Sequence, residues 1–410
     1  MPEPSDAPVD VPMVDVLITG GGPIGSAIAL ALSDSPLSVA LIGPPASAST
    51  DSRPIALSHG SRLILEALGC WPSGSATVIA AIHVSQQGRF GRTLIGAAEH
   101  QLPALGYVIA YDELHRATST KIACKHIKGR VEVIEDRGSF ARAMTSAGVI
   151  DARLIVLADG GHLAETQSES YGQVALVARI EADRPHQGRA WERFTPEGPL
   201  ALLPFDGGDD SDGRDDSDGG DSSDGGDSSG GGDSSGGGYA MVWCTTPERA
   251  AMLVGTKEEG FLAVLQQAFG NRAGRFTAAT ARSHFPLALR RVKQSPPRCV
   301  TVGNAAQALH PVAGQGLNLG LRDGVELARL IRDCAPQDLG SLAFSGHYQA
   351  ARAPDRDAGI HITDTLVKLF SNSNPVAGFA RGSGLFLLDI LPAPRRFLAR
   401  RMMFGMRALP

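Results

Sequence analysis

Val14-Asp-Val-Leu-Ile-Thr19 runs directly into Gly20-Gly-Gly22-Pro-Ile-Gly25, after which Ile24, Ala27, Ile28, Ala31 and Leu32 recur at helical spacing. The order is buried strand, glycine turn, helix, and Ser38 to Ile42 supplies a second strand. This β-α-β unit predicts a parallel sheet covered by helices. In a G-x-G-x-x-G turn the first glycine permits the tight bend and the second lets backbone approach a pyrophosphate. The third lets helix and strand pack closely, and the free amides of the helix N-terminus hold the phosphate charge. A glycine turn used only for packing is the competing reading, and the flanking strand and helix favour a dinucleotide site. The acid that usually follows the second strand to bind the adenosine ribose is missing, because Gly43-Pro-Pro45 stands there and Asp51 comes late.

Outward from this unit, 410 residues with 43% hydrophobic, 20% charged and 5% aromatic residues are enough for two or three domains and a large core. Five cysteines without a Cys-x-x-Cys pair argue against a disulfide framework or a zinc ribbon, and no metal site is expected. A reducing, cytoplasmic setting is expected. The segment Met1 to Asp15 lacks the basic start and apolar core of a secretory signal, and no apolar run approaches the roughly 20 residues of a spanning helix.

The net charge of −5 conceals an uneven distribution. From Asp206 to Gly238 the chain holds 13 Gly, 11 Asp, 8 Ser and one Arg, a net of −10, which leaves the remainder at +5. With no apolar residue, this stretch cannot offset its ordering entropy and reads as a disordered acidic loop. A calcium-loop reading lacks both the bidentate Glu of an EF-hand and the apolar position of calcium-binding β-helix repeats. Leu200 to Phe205 before it and Tyr239 to Cys244 after it are β-like runs, so an overgrown hairpin turn is expected. Val78 to Val84 and Val174 to Ile180 suggest longer strands of a different sheet, Ala152 to Leu157 returns to the buried parallel type, and the chain turns largely helical after Gly314.

A second glycine-rich block runs from Val300 through Gly303-Asn304, His310-Pro311 and Gly314-Gln315-Gly316 to Asn318 and Asp323. A strand ending at Val302, a loop, and a helix starting near Gly316 would aim free amides at whatever fills the loop, favouring negative charge there. This block resembles the second flavin-binding motif of the aromatic-ring hydroxylases of the para-hydroxybenzoate hydroxylase type. Val156-Leu-Ala-Asp159-Gly160 is similar to their Asp-Gly motif. Asp51-Ser-Arg53-Pro-Ile-Ala-Leu-Ser58, Gly69-Cys-Trp71 and Gly188-Arg-Ala-Trp-Glu-Arg-Phe-Thr195 with Gly198-Pro-Leu-Ala-Leu-Leu-Pro204 resemble the ubiquinone-biosynthesis branch. The likeness covers nearly the whole chain outside the acidic insert.

The resemblance implies an α/β flavoprotein with a Rossmann-like FAD-binding domain, a mixed β-sheet substrate domain and a helical C-terminal extension. The FAD domain would be discontinuous, over 1–75, 101–165 and 285–345. The substrate domain would take 76–100 and 166–284, with 206–238 as its loop, and 346–410 would be helical. It implies a monooxygenase in which NAD(P)H or another donor reduces FAD, a flavin hydroperoxide forms, and one oxygen is transferred to the ring of a polyprenylated (methoxy)phenol in ubiquinone biosynthesis. Gly20, Gly22 and Gly25 would hold the pyrophosphate, Arg53 would lie along the cofactor, and Arg116 would be a looser flavin contact. Asp159 and Gly160 would meet cofactor and nicotinamide, Gly303 and Asn304 the ribityl chain, and Pro311, Gly314, Gln315, Gly316 and Asn318 the isoalloxazine. No side chain stands out as the base that activates the phenol.

Some features depart from that pattern. Asn304 replaces the Asp of the wider superfamily, although an amide still meets a hydroxyl. Leu163 stands where Ser is usual, which together with Gly43 motivates the alternative of a non-catalytic, FAD-deficient lipid- or partner-binding member of a ubiquinone-biosynthesis complex. A plain NAD-linked dehydrogenase would leave the Gly303–Asp323 block unexplained. His310 is read as structural at least as readily as catalytic, and Trp191 and Trp243 as core before pocket. The apolar run Leu385 to Leu391, followed by Arg395, Arg396, Arg400, Arg401 and Arg407, suggests contact with the cytoplasmic face of an inner membrane, against the alternative of a helix docked with a solvated basic face. Nucleic acid is not an expected partner, because aromatic residues are sparse and not interleaved with basic ones.

Overall fold

The computed structural model describes residues 12–44, 51–161, 163–207, 237–370 and 375–405. Most of the acidic insert, the first eleven residues, Pro45 and Arg407 therefore lie outside the described residues.

The strand Val14–Thr19 is buried on both faces, with Val16, Leu17 and Ile18 fully enclosed, as a strand covered on both sides of a parallel sheet must be. It pairs in parallel with Val39–Gly43 on one side and with the second half of Gly148–Leu157 on the other. Lys125–Lys128 and Cys299–Thr301 extend the parallel set, while Ala141–Thr145 and Val131–Asp136 add antiparallel strands at the far edge. One face packs against the helices Pro23–Ala31, Gln315–Asp333 and Leu342–Phe370 through Ile28, Leu327, Ile331 and Tyr348.

A nine-stranded sheet stands beside it, ordered around the 18-residue strand Glu165–Ala182. This strand pairs antiparallel with Ser283–Gln294 and with Gly237–Thr245, so a chain segment straddling the boundary expected at 284/285 runs within this sheet. The sheet is mixed because Arg189–Phe194 lies parallel to Ala81–Gln86. Trp191 and Trp243 are buried on the side covered by the helices Pro247–Gly255 and Glu258–Phe269, in a core cluster with Leu253, Phe261 and Leu265. Pro199–Pro204 and Gly237–Thr245 pair antiparallel, and Phe205 N–H donates to Gly238 O at 3.0 Å, so the insert leaves and re-enters the fold between adjacent strands.

The single strand expected over 78–84 is instead two. Thr77–Ile79 pairs with Gly106–Ala110 in a three-stranded sheet, and Ala81–Gln86 joins the large one. The chain changes partners at Ala80, whose N–H goes to Gly188 O at 2.7 Å, a switch that hydrophobic patterning does not register. At the C-terminal end, Leu342–Phe370, Pro375–Ile390 and Pro392–Phe404 are helices.

Candidate functional site

Two helix N-termini meet at the edge of the parallel sheet. The first, at Pro23, has Gly22 as its N-cap and no side-chain cap. The second, at Gln315, has Gly314 as its N-cap with φ +59°, again without a side-chain cap and with no acid in its first turn. The two helices touch through Ile24. A Cβ on Gly303 or on Gly320 would collide with the Ile24 methyl, so glycine at both positions lets the helices approach. Pro23 carries no N–H and the Gly314 N–H goes to Pro311 O at 2.9 Å, but the other first-turn amides at each end lie at the positive pole of a helix dipole, an arrangement suited to an anionic or electronegative ligand.

The turns feeding these helices are sterically determined. Gly20 sits at φ +93°, and a Cβ there would lie 2.7 Å from Ala158 O. A Cβ on Gly25 would fall on the Gly20 carbonyl oxygen. The missing acid after the second strand has the same origin, because a Cβ on Gly43 would stand 2.5 Å from Gly21 N. The turn therefore packs onto the end of that strand and leaves no room for a side chain at Gly43. By contrast, a Cβ on Gly22 would meet only the Tyr111 hydroxyl at 3.3 Å, and one on Gly316 or Gly160 would meet no atom within 4 Å. These positions border open space. A pyrophosphate lying along Gly22 and a flavin ring over Gly314–Gly316 fit that cradle, and FAD is the group that would use both ends.

The other residues singled out in the sequence fall around this cradle in different ways. Asp159 Oδ1 accepts from Gly161 N–H at 3.1 Å, forming a turn that places Gly160 at its tip with φ +91°. Gly303 is buried, whereas Asn304 is exposed at the start of the second loop. Arg290, not selected from the sequence, donates through Nη2 to Gly160 O and, at 2.8 Å, to Asn304 O, so one guanidinium clips both loops together. Arg53 is exposed, chelates Asp51 (Nε–Oδ1 2.7 Å, Nη2–Oδ2 2.6 Å), and lies 5.0 Å from the centre of the Phe285 ring. The Arg53 guanidinium holds the Asp51 carboxyl below the usual range. Pro311 is half-buried, and its carbonyl accepts from Gly314 N–H at 2.9 Å.

Two side chains differ from their expected use. Arg116 is turned away from the glycine turn and pairs with Glu113 on its own helix, Tyr111–Ser119. His115 takes the inward position instead, donating from Nε2 to Gly21 O at 2.8 Å, and Tyr111 faces Gly22. Asn318 is enclosed. Its Oδ1 accepts from Ser58 N–H (2.8 Å) and from the Ser61 hydroxyl (2.7 Å), and its Nδ2 donates to Ala56 O and Gly314 O (3.2 and 2.7 Å). All of its side-chain capacity goes to tying the helix start to Pro54–Ser58 and to the helix after it. Gln315 donates from Nε2 to Met402 O at 3.3 Å, linking the same helix start to the C-terminal helix.

Leu163 packs against the cluster containing Leu17, Ile155 and Leu157, so its apolar character has a core reason. His310 is 1% exposed. Its Nδ1 accepts from Val312 N–H at 3.2 Å, which leaves the proton on Nε2, 3.4 Å from Gln173 Oε1. The imidazole thus braces the loop in its neutral form, and burial pushes its pKa down to about 4. An unfolded histidine takes up its proton at about pH 6.5. Between these values the unfolded chain binds the extra proton, so this residue withdraws stability as pH falls from about 6.5 and has withdrawn all of it near 4. Relative to a His310→Gln variant, the wild type is expected to lose on the order of 3 kcal/mol over that interval in chemical denaturation. Parallel curves would mean that His310 titrates like a solvated histidine.

Facing the second loop is the side of the nine-stranded sheet away from Trp191. Phe194, Val312 and Leu385 form a buried cluster there, with Val84, Tyr171 and Leu366 against it.

No protein-family profile matches the chain. Among curated proteins it is 30% identical to ubiquinone hydroxylase UbiL of Rhodospirillum rubrum, over 97% of this chain and 91% of that protein. It is 26% identical to 3-demethoxyubiquinol 3-hydroxylase of Escherichia coli, covering 92% and 94% of the two chains. It is also 26% identical to the mouse mitochondrial ubiquinone biosynthesis monooxygenase COQ6, covering 88% and 84%. Among solved structures, p-nitrophenol 4-monooxygenase PnpA of Pseudomonas putida DLL-E4 superposes with a TM-score of 0.73 over 96% of this chain and 99% of that one, at 14% identity. PqsL of Pseudomonas aeruginosa, described as a probable FAD-dependent monooxygenase, gives 0.68 over 92% and 100%, at 18% identity.

Proposed function

We propose, from the premise that this chain belongs to the FAD-dependent hydroxylases of ubiquinone biosynthesis, that it hydroxylates the ring of a polyprenylated (methoxy)phenol with electrons from NAD(P)H. The observation that carries this reading is the convergence of two uncapped helix N-termini on one glycine-lined cradle, beside an apolar sheet face. We read the sheet carrying Val14–Thr19 as the FAD unit and the nine-stranded sheet as the substrate unit.

Gly20, Gly22 and Gly25 would allow the backbone N–H groups of the turn and of Ile24 to reach the pyrophosphate, with His115 holding the turn from below. Gly303 and Asn304 would meet the ribityl chain, Asp159 and Gly160 would border the cofactor, and Arg290 would keep both loops in place. The backbone from Pro311 to Asn318 would support the isoalloxazine, with the positive end of the helix Gln315–Asp333 favouring negative charge on the ring edge it faces. Bound FAD supplies the activation of dioxygen from which one oxygen atom reaches the ring. Phe194, Val312 and Leu385 would orient the phenol and exclude water from it. The features that suggested a flavin-free accessory protein, Gly43 and Leu163, both have packing explanations within this fold.

The purified protein incubated with FAD and freed of excess should show bound-flavin absorption bands. It should consume NAD(P)H faster when a short-chain prenylated methoxyphenol is present, giving a product with one added oxygen atom. A folded protein that takes up no flavin would overturn the assignment.

No helix among the described residues is long and apolar enough to cross a membrane. The substrate's prenyl chain nevertheless calls for a lipid-facing surface. On Pro375–Ile390 and Pro392–Phe404, Phe379, Phe386, Leu387, Ile390 and Phe397 are all roughly half or more exposed, next to Arg396 and Arg400. We read this patch as a peripheral contact with an anionic membrane surface, beside which a complex of the pathway's proteins would assemble. The protein is expected to co-sediment with phosphatidylglycerol-containing vesicles and to be released by salt. The triple variant Phe386→Ser, Ile390→Ser, Phe397→Ser should bind them on the order of tenfold more weakly. Equal binding by the variant would remove this surface from consideration.

A further inference from the structure

Residues of the strand Arg189–Phe194 alternate between two environments. Trp191 turns into the helix-covered core. Ala190, Glu192 and Phe194 turn the other way, Ala190 into a cluster with Val108 and Ala240 and Phe194 onto Val312 of the second glycine-rich loop. Glu192 therefore lies between two apolar clusters on the face directed at the proposed flavin site, with Ala201 beside it on one neighbouring strand and Val84 on the other. Its Oε1 is shielded from solvent and makes no hydrogen bond. Among the described residues, the titratable and charged groups on the surrounding elements include the Cys244 thiol, Arg381 with Arg89 beside it, Tyr171 with Asp364 beside it, and His310. Arg381 reaches this edge by donating to Gln86 Oε1 at 3.2 Å, and His310 is held neutral by Val312 and Gln173. None of them bonds to the Glu192 carboxyl. Burial pushes its pKa up to about 7.

A carboxyl in this position contributes nothing to folding, since an unpaired acid among apolar side chains costs stability that Gln or Leu would not. Hydroxylating a phenol requires a proton acceptor at the ring hydroxyl, and an acceptor works best when its pKa lies near the working pH. Resting on the hydroxylase reading above, we propose that Glu192 is the proton acceptor for the phenol, its carboxylate removing the hydroxyl hydrogen while the ring receives oxygen. The phenol O–H bond breaks, an O–H bond forms on Glu192, and the electron pair left on the phenolic oxygen raises electron density at the ring carbon that is attacked. That carbon then loses its hydrogen as a proton to water as aromaticity is restored. Glu192 returns its own proton to the phenolate oxygen of the product, which resets the site. Dioxygen and the reducing electrons are those of the hydroxylation itself.

The test compares wild type, Glu192→Gln and Glu192→Asp as FAD-loaded proteins, in two ways. In single turnovers, each is reduced with dithionite and mixed with oxygenated buffer and a short-chain prenylated methoxyphenol. Glu192→Gln is expected to form product on the order of 100-fold more slowly, to lose the wild type's rise in rate through about pH 7, and to retain its flavin bands. Glu192→Asp should recover part of the rate. Separately, thermal midpoints are followed from about pH 4.5 to about pH 8: the unfolded glutamate ionises from about pH 4.3 while Glu192 keeps its proton to about pH 7, so the wild type falls relative to Glu192→Gln over that interval and levels off above it. A Glu192→Gln rate within about threefold of wild type with the same pH profile overturns the proposal, as does a midpoint difference that stays flat with pH. If wild type itself yields no hydroxylated product while the midpoint difference remains, the hydroxylase reading fails and takes this role with it. Should Glu192→Gln not fold, an unshifted pH profile in Glu192→Asp overturns the proposal equally.

Discussion

Gly25→Val is expected to yield a protein that retains no FAD. The position is buried, and any Cβ there lands on the Gly20 carbonyl oxygen and 3.2 Å from its carbon. Both obstructing atoms are backbone, and their own residue is confined by a φ of +93° and by Ala158. Relief requires the turn to move away from the helix, which displaces the backbone N–H groups of Gly22 and Ile24. Forcing extra carbons into such a contact costs on the order of 1–3 kcal/mol. Where that distortion falls on the ligand's own contacts, roughly each 1.4 kcal/mol is a further tenfold in affinity, so flavin should be lost on gel filtration at micromolar protein. Gly316→Ala is the informative partner. Open space surrounds that position, so the helix should fold as well as before or slightly better, while flavin binding weakens because the methyl enters the volume assigned to the ring. A Gly25→Val protein with full flavin content would show that the turn is a packing device only.

The second large effect is expected at Asp323→Ala. Asp323 is completely buried. It accepts from Arg352 Nε at 2.6 Å, Arg356 Nε at 2.9 Å and Gln307 Nε2 at 3.3 Å. Asp355 accepts from Arg322 Nε at 2.9 Å and from Arg352 Nη2 at 2.6 Å, and Arg356 also donates to the Tyr348 hydroxyl at 2.6 Å. Burial alone would raise the Asp355 carboxyl, but Arg322 and Arg352 hold it below the usual range. Three guanidinium groups are thus balanced by two carboxylates. Removing Asp323 leaves one carboxylate for three buried cations, and an uncompensated buried charge of this kind costs about 3–5 kcal/mol. Urea midpoints should report that loss, with Asp323→Asn intermediate because an amide oxygen still accepts. The network joins the helix behind the flavin loop to Leu342–Phe370, and Gly405 at the end of the last helix packs directly on Asp355 and Arg322. Flavin affinity should therefore fall along with stability. A midpoint within about 1 kcal/mol of wild type would mean that the arginines find other partners or water.

Reading the chain residue by residue reached the cradle but not its supports. Both glycine motifs were legible because each is a strand, a turn and a helix start within a dozen residues. The resemblance points to Arg116, whereas on the helix Tyr111–Ser119 it is His115 that faces the turn. One residue along a helix is a rotation of about 100°, so an error of one position turns a contact outward. Arg290 gives no signal, since it is one of two adjacent arginines on its strand and its partners lie 130 and 14 residues away. Glu192 stands within a legible motif but shows no role there, because alternation along a strand separates two faces without saying what covers either.

By itself the sequence determined the local steric requirements: a parallel β-α-β unit, glycines where backbone meets backbone, an insert with no apolar residue, and a second glycine loop leading into a helix. These follow from neighbours within a few residues, where φ, Cβ volume and hydrophobic period act directly. The tertiary structure alone decided that Gly43 lies under Gly21, that Asn318 is consumed in a clamp, that Asp323 is shared by two arginines from another helix, and that Glu192 is half-buried with an unbonded Oε1 on the face toward the second glycine-rich loop. Each depends on sheet register and helix packing bringing distant segments into contact, and the free energy of a buried charge is set by those surroundings rather than by its neighbours in the chain.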